Sequence, residues 1–191
     1  MTAKDIQRVL KSGQFLSQPE YIIENLYVFD WESDVLFKTK AGYYYEVEIK
    51  ISKSDFKADF KKKSKHIALK YKQYASTQDL TPNYFYYCVP EELVDSVKDL
   101  VPQYAGLICI EQGARNGWKY IRYVKEAPLL HKEKWTDERL NLSKVFYYNY
   151  RTYKDRYDQG SAAMIESLRN EVAAVKAEFK AVTGFDYEEC L

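Results

Sequence analysis

At 191 residues, 46% hydrophobic and 30% charged, the chain is long enough for one sizeable core and too apolar to be disordered. Its formal net charge of +1 excludes a global basic field, so any nucleic-acid signal must come from local clustering. The three cysteines, Cys88, Cys109 and Cys190, form no CxxC pair, and only His66 and His131 could serve a thiolate as base, which argues against a disulfide framework and against cysteine catalysis. The N-terminal "MTAKDIQRVLKSG" has no apolar signal core and no run approaches a membrane span, so a cytoplasmic setting with no membrane partner is expected.

In chain order, residues 4–11 read as a helix with Ile6, Val9 and Leu10 on one side. Ser17 with Glu20 three residues later is a capping-box pattern opening a short helix or turn. "LYVFDWESDVLFKTK" reads as extended, Ala41–Gly42 as a turn, and "YYYEVEIKI" as an alternating strand. Ser52 with Asp55 caps a helix expected over about 53–75, with Phe56, Phe60, Ile67 and Tyr71 facing the core. Strands follow at 83–89, 105–111 and 118–124, with a helix from Pro90 to about Val101 between the first two. This order predicts an α/β domain, a mixed sheet with helices packed on it, over residues 1–135. Residues 136–191 form a helical extension. There Phe146, Tyr150, Tyr153 and Tyr157, then Ile165, Leu168, Val172, Val175, Phe179 and Val182, follow helical spacing up to a stop at Gly184. That stripe could pack within the chain or form a homodimer.

A three-residue loop at 40–42, with Gly42 left-handed, would make opposed residues of the hairpin sum to 82. Asp34 then faces Glu48, Leu36 faces Glu46, and Lys50 lies on the same face, expected to be wet. Val47, Ile49 and Ile51 point to the core. Two opposed carboxylates repel unless a cation lies between them, and Mg²⁺ takes one or two carboxylates plus water and phosphate oxygens. A neighbouring lysine can orient the attacking water and offset charge in the transition state.

"SD", thirteen residues, then "EIK" resembles the PD-(D/E)xK nuclease superfamily, which has a three-layer restriction-endonuclease-like fold. Over about residues 20–125, including "SKSDFKADFKKKSKH", "NYFYYCVP" and "AGLICIE", the chain is similar to the branch of small DNA-repair and resolvase-like members. The resemblance implies Asp34, Glu48 and the Ile49 carbonyl as ligands of Mg²⁺, with Mn²⁺ able to substitute, and Lys50 as the catalytic lysine. Ser33 stands where the family name has proline. An additional acid is common in the family, with Glu20 and Glu24 as candidates here, and Glu46 either supports the ligands or is simply exposed. DNA is the expected substrate.

Eight lysines lie between Lys53 and Lys72. Lys53 and the i, i+4 series Lys57, Lys61 and Lys65 could grip phosphates, although a charge run is more often a solvated face. His66 reads as a surface residue. Arg151, Lys154 and Arg156 among tyrosines could make a base-stacking platform, but the helical spacing favours a core stripe. Two rival readings are a catalytically silent DNA-binding module on the same fold and an assembly protein working through its C-terminal helices.

Overall fold

A computed structural model describes residues 1–72, 80–113 and 117–183. The chain divides into two units, Met1–Val145 and Phe146–Leu191. In the first, helix α1 (Ala3–Val9) continues through a π-helical segment (Leu10–Gln14) into a six-stranded sheet. The strands are β1 (Tyr21–Tyr27), β2 (Glu32–Lys38), β3 (Tyr44–Ile49), β4 (Tyr84–Pro90), β5 (Gly106–Gln112) and β6 (Lys119–Lys125), in the order 1-2-3-4-5-6. The central pairs β3–β4 and β4–β5 are parallel and the outer pairs antiparallel. Parallel neighbours need crossovers. The first carries α2 (Lys53–Asp59) and α3 (Lys63–Lys72), the second α4 (Val94–Val97) between two 3₁₀ turns.

The sheet has a helical layer on each face. Ile6, Val9, Leu10 and Phe15 cover Val35, Phe37, Val47, Ile49, Tyr86, Cys88, Ile108 and Ile110. On the other face, Phe56, Leu69, Val94 and Val97 pack against Phe85, Tyr87, Val89, Leu107 and Cys109. Beside them a third cluster joins Ile23, Leu26, Phe29, Leu36 and Tyr44 to Leu140 and Leu142. Because Leu140, Leu142 and Val145 belong to that cluster, the compact unit extends past the boundary expected at residue 135. Cys88 and Cys109 are buried free thiols, one in each layer.

The hairpin register follows the sum of 82: Val35 pairs with Val47, Leu36 with Glu46 and Phe37 with Tyr45. Gly42 closes the loop at φ 85°, left-handed as the turn requires. A second glycine is fixed by space, since a Cβ on Gly106 would run into the Tyr86 ring and the Ala127 nitrogen.

Three local expectations are corrected and one is narrowed. Residues 26–40 are not one extended run. Asp30 adopts φ 60°, the Val28 N–H donates to the Trp31 carbonyl, and the chain turns between β1 and β2. Of the short helix or turn expected at Ser17–Glu20 the chain takes the turn, with Gln18 at φ 54°, and the Glu20 N–H donates to the Lys38 carbonyl as the chain enters β1. Ile51 is exposed in a bend after β3. The helix expected over 53–75 breaks at 60–62, where i→i+3 bonds tighten the chain (Lys61 N–H to Ala58 carbonyl, Lys62 N–H to Asp59 carbonyl). The new helix starts in a different phase. Lys65, Leu69 and Lys72 turn inward, while Ile67 and Tyr71 stand 56% and 52% exposed.

A single helix, α5 (Leu142–Thr183), opens in the last residues of the first unit, runs through Gly160 and replaces the expected series of helices. Tyr150, Tyr153, Tyr157, Met164, Ile165, Leu168 and Val172 are exposed along it, and the side chains of Val175, Phe179 and Val182 lie outside the described ones. The expected stop at Gly184 lies outside the described residues. No helix among the described residues is long and apolar enough to cross a membrane.

Candidate active site

Asp34 stands one residue beyond the last paired residues, Val35 and Val47, and with Glu48 borders the sheet face beneath α2 and α3. Asp34 is half-buried and its Oδ2 accepts the Ile49 N–H at 2.7 Å. Its carboxyl is pushed up to about 6, first by burial and then by the Glu48 charge. Glu48 is buried and surrounded by ammonium groups. Oε1 accepts from Lys50 at 2.8 Å and Lys62 at 3.0 Å, and Oε2 from Lys65 at 2.7 Å. Burial opposes its ionisation, but Lys65 and Lys50 outweigh it and hold the carboxyl below its ordinary value.

Lys50 is not wet. Its side chain is 7% exposed, and it bridges Glu48 to Asp59 Oδ1 at 3.3 Å. Burial pulls its pKa down, yet Glu48 and Asp59 raise it on balance, so it stands as a cation. Lys65 is also corrected. Its side chain is 1% exposed and its Nζ lies 3.0 Å from Glu46 and 2.7 Å from Glu48, so it cannot reach a nucleic-acid backbone. Lys53, Lys57 and Lys61 are exposed as a backbone contact would need. Glu46 is not exposed opposite Leu36. It is buried, and both its oxygens accept from Trp31 Nε1, at 2.9 and 3.0 Å.

Glu20 and Glu24 do not join the site. Glu20 lies at the far end of β2, 3.2 Å from Lys38, and Glu24 pairs in register with Val35, on the opposite face, where it meets Lys11. The Ile49 side chain belongs to the α1 layer, so only its backbone borders the acids.

Three residues escaped sequence reasoning: Asp59, Lys62 and the inward role of His66. Asp59 is buried and accepts from Tyr87 Oη at 2.9 Å. His66 Nε2 lies 3.0 Å from the Asp59 carbonyl oxygen and 3.3 Å from its carboxylate, and Nδ1 lies 2.7 Å from Tyr104 Oη. Burial works against ionisation of Asp59, but His66, Lys65 and Lys50 hold its carboxyl well below the usual range. Lys62, 48% exposed, spans Glu48 and Asp59 at the surface of the cluster. The i, i+3 spacing of Asp59 and Lys62 was the available signal.

Four carboxylates (Asp34, Glu46, Glu48, Asp59) thus meet three ammonium groups (Lys50, Lys62, Lys65). Asp34 has no cation at ion-pair distance among the described residues, and burial pushes the Glu46 carboxyl up as well. No cluster of three or more His, Cys, Asp or Glu able to hold a metal occurs among them either. The donor set therefore does not make an all-protein cage.

No family model matches the chain, and no curated protein matches it. Among solved structures it is similar to the SPO1766 protein of unknown function from Silicibacter pomeroyi, at 19% identity and a TM-score of 0.49, over 82% of this chain and 88% of that one.

Proposed function

We propose that the protein is a Mg²⁺-dependent phosphodiesterase acting on DNA, of the PD-(D/E)xK type. The observation that carries this reading is the under-neutralised Asp34 beside Glu48, with the Lys50 ammonium 2.8 Å from Glu48. Asp34 and Glu48, with the Ile49 carbonyl, would hold the ion, which supplies Lewis-acid polarisation of the phosphate and of a bound water. Lys50, held as a cation, serves to orient the water and to offset charge accumulating on the phosphate oxygens. Its raised pKa makes it a poor proton acceptor. Lys53, Lys57 and Lys61, with Lys62 at the surface of the cluster, would contact the DNA backbone without reading sequence.

One observation favours a second reading. Glu48 already accepts hydrogen bonds from three ammonium groups, which would let the same cluster stand as the internal packing of a silent DNA-binding module. Incubating plasmid and branched DNA with wild type and Lys50→Ala in Mg²⁺, Mn²⁺ and EDTA separates the two. The nuclease reading expects strand cleavage by the wild type with either metal, none in EDTA, and none from a folded Lys50→Ala. DNA binding without cutting in any metal would establish the silent module.

A further inference from the structure

Ile165, Leu168 and Val172 stand exposed on α5. With positions 175, 179 and 182 they repeat at spacings of 3, 4, 3, 4 and 3, all apolar. That is the seven-residue period of a coiled-coil seam, with 165, 172 and 179 at the a positions and 168, 175 and 182 at d. Tyr150, Tyr153 and Tyr157 keep the same spacing in a frame displaced by one residue, on the other side of Gly160, so the seam begins at Ile165.

The residues around the seam select what covers it. β-Branched Ile165 and Val172 at a, with Leu168 at d, is the combination that favours two parallel strands. The e positions carry Arg169 and Lys176, and the g positions carry Glu171 and Glu178. An antiparallel pair sets e against e and g against g, so like charges would meet in any register. A parallel pair in register sets each g against the e of the next heptad across the seam, which brings Glu171 to the partner's Lys176. The outer b, c and f positions hold only Glu, Ser, Asn, Lys and Ala, so a third helix would find no second apolar stripe.

We infer that residues 165–182 of α5 form a parallel, in-register, two-stranded coiled coil with a second copy of this chain. The occupant is a copy because the charges at e and g complement themselves in that one orientation. The pairing does not rest on the proposed function.

Sedimentation equilibrium of the full chain tests the pairing. Wild type should show twice the mass of one chain, and Leu168→Asp combined with Val172→Asp should halve it, with the circular dichroism of the α/β unit unchanged because both side chains are exposed. A wild type that stays single at every concentration, a mass above two chains, or a folded double variant that stays paired would overturn the inference. If the double variant loses its fold, Glu171→Lys should weaken pairing severalfold and added Lys176→Glu should restore it; pairing indifferent to both overturns the inference. Orientation is read by cross-linking. In a Cys190→Ser background, Leu168→Cys and, separately, Val182→Cys place a thiol at d positions about 21 Å apart along the helix. Cys88 and Cys109 are buried and stay out of the reaction. Both variants should join to themselves under mild oxidation. An antiparallel pair could join at one of the two at most, so joining at one position or at neither overturns the parallel coil.

Discussion

On one side of β3, Val47 and Ile49 lie among Phe15, Phe37, Tyr86 and Ile108 in the layer beneath α1; on the other side Glu46 and Glu48, just as dry, lie against Lys50, Lys62 and Lys65. The first face gains stability by removing apolar area from water and tolerates apolar side chains of similar volume. The second recovers desolvation only when every charge keeps its partner, and a missing partner leaves a buried ion exposed to no counter-charge. A strand between two such layers is insensitive to pH on one side and dependent on it on the other.

The largest effect should come from breaking the charged face. Glu48→Ala leaves three ammonium groups converging on an empty place and should cost about 3–5 kcal/mol in urea melts. A cost near that of a simple cavity would mean the lysines relax to solvent and the two faces are energetically alike. The matching change on the apolar side, Val47→Ala, removes about two methylenes and should cost about 2 kcal/mol, equally at pH 5 and pH 8.

Asp34→Asn sharpens the contrast in the opposite direction. The folded carboxyl holds its proton up to about 6, against 3.8 unperturbed, so the folded state binds more protons in that window and stability falls as pH rises through it. In EDTA at pH 7 the asparagine variant should therefore be more stable than wild type, by about 1–2 kcal/mol after allowance for the solvent-facing edge. The difference should vanish below pH 4. Melts across pH that stay parallel would show that neither burial nor Glu48 holds the Asp34 carboxyl above its ordinary value. Smallest in stability is Lys57→Gln with Lys61→Gln. Both side chains are exposed, so melting should move by no more than about 0.5 kcal/mol. The log–log salt slope of duplex DNA binding should nevertheless fall by about 1.8.

The hairpin was legible because two local constraints agreed: Gly42 could supply the left-handed turn, and period-two alternation left one register that placed Val35 and Val47 on a common buried face. The acids and Lys50 followed from that register alone. What the sequence hid was the depth of the cluster. Alternation of Glu and Lys on a strand ordinarily marks a wet face, and nothing local to Glu46 or Lys50 announces that α2 and α3 close over them. Asp59, Lys62 and Lys65 needed the break at 60–62, where the Asp59 carbonyl accepts from the Lys62 N–H and lies 3.0 Å from His66 Nε2. That local turn interrupts the helical continuity suggested by the lysine spacing.

The burial of the acid–lysine cluster also bears on how this chain can drift. A residue whose only duty is chemistry is released from selection once the chemistry is no longer needed, whereas Glu48 and Lys65 are each other's counter-charge inside the fold. Even without the proposed reaction, these buried charges would be kept for the sake of folding. Where they are lost, an acid and its lysine would leave together for an apolar pair of like volume. Paired replacement at positions 46 and 65, with 34 free to vary alone, is the mark such a history would leave in related sequences.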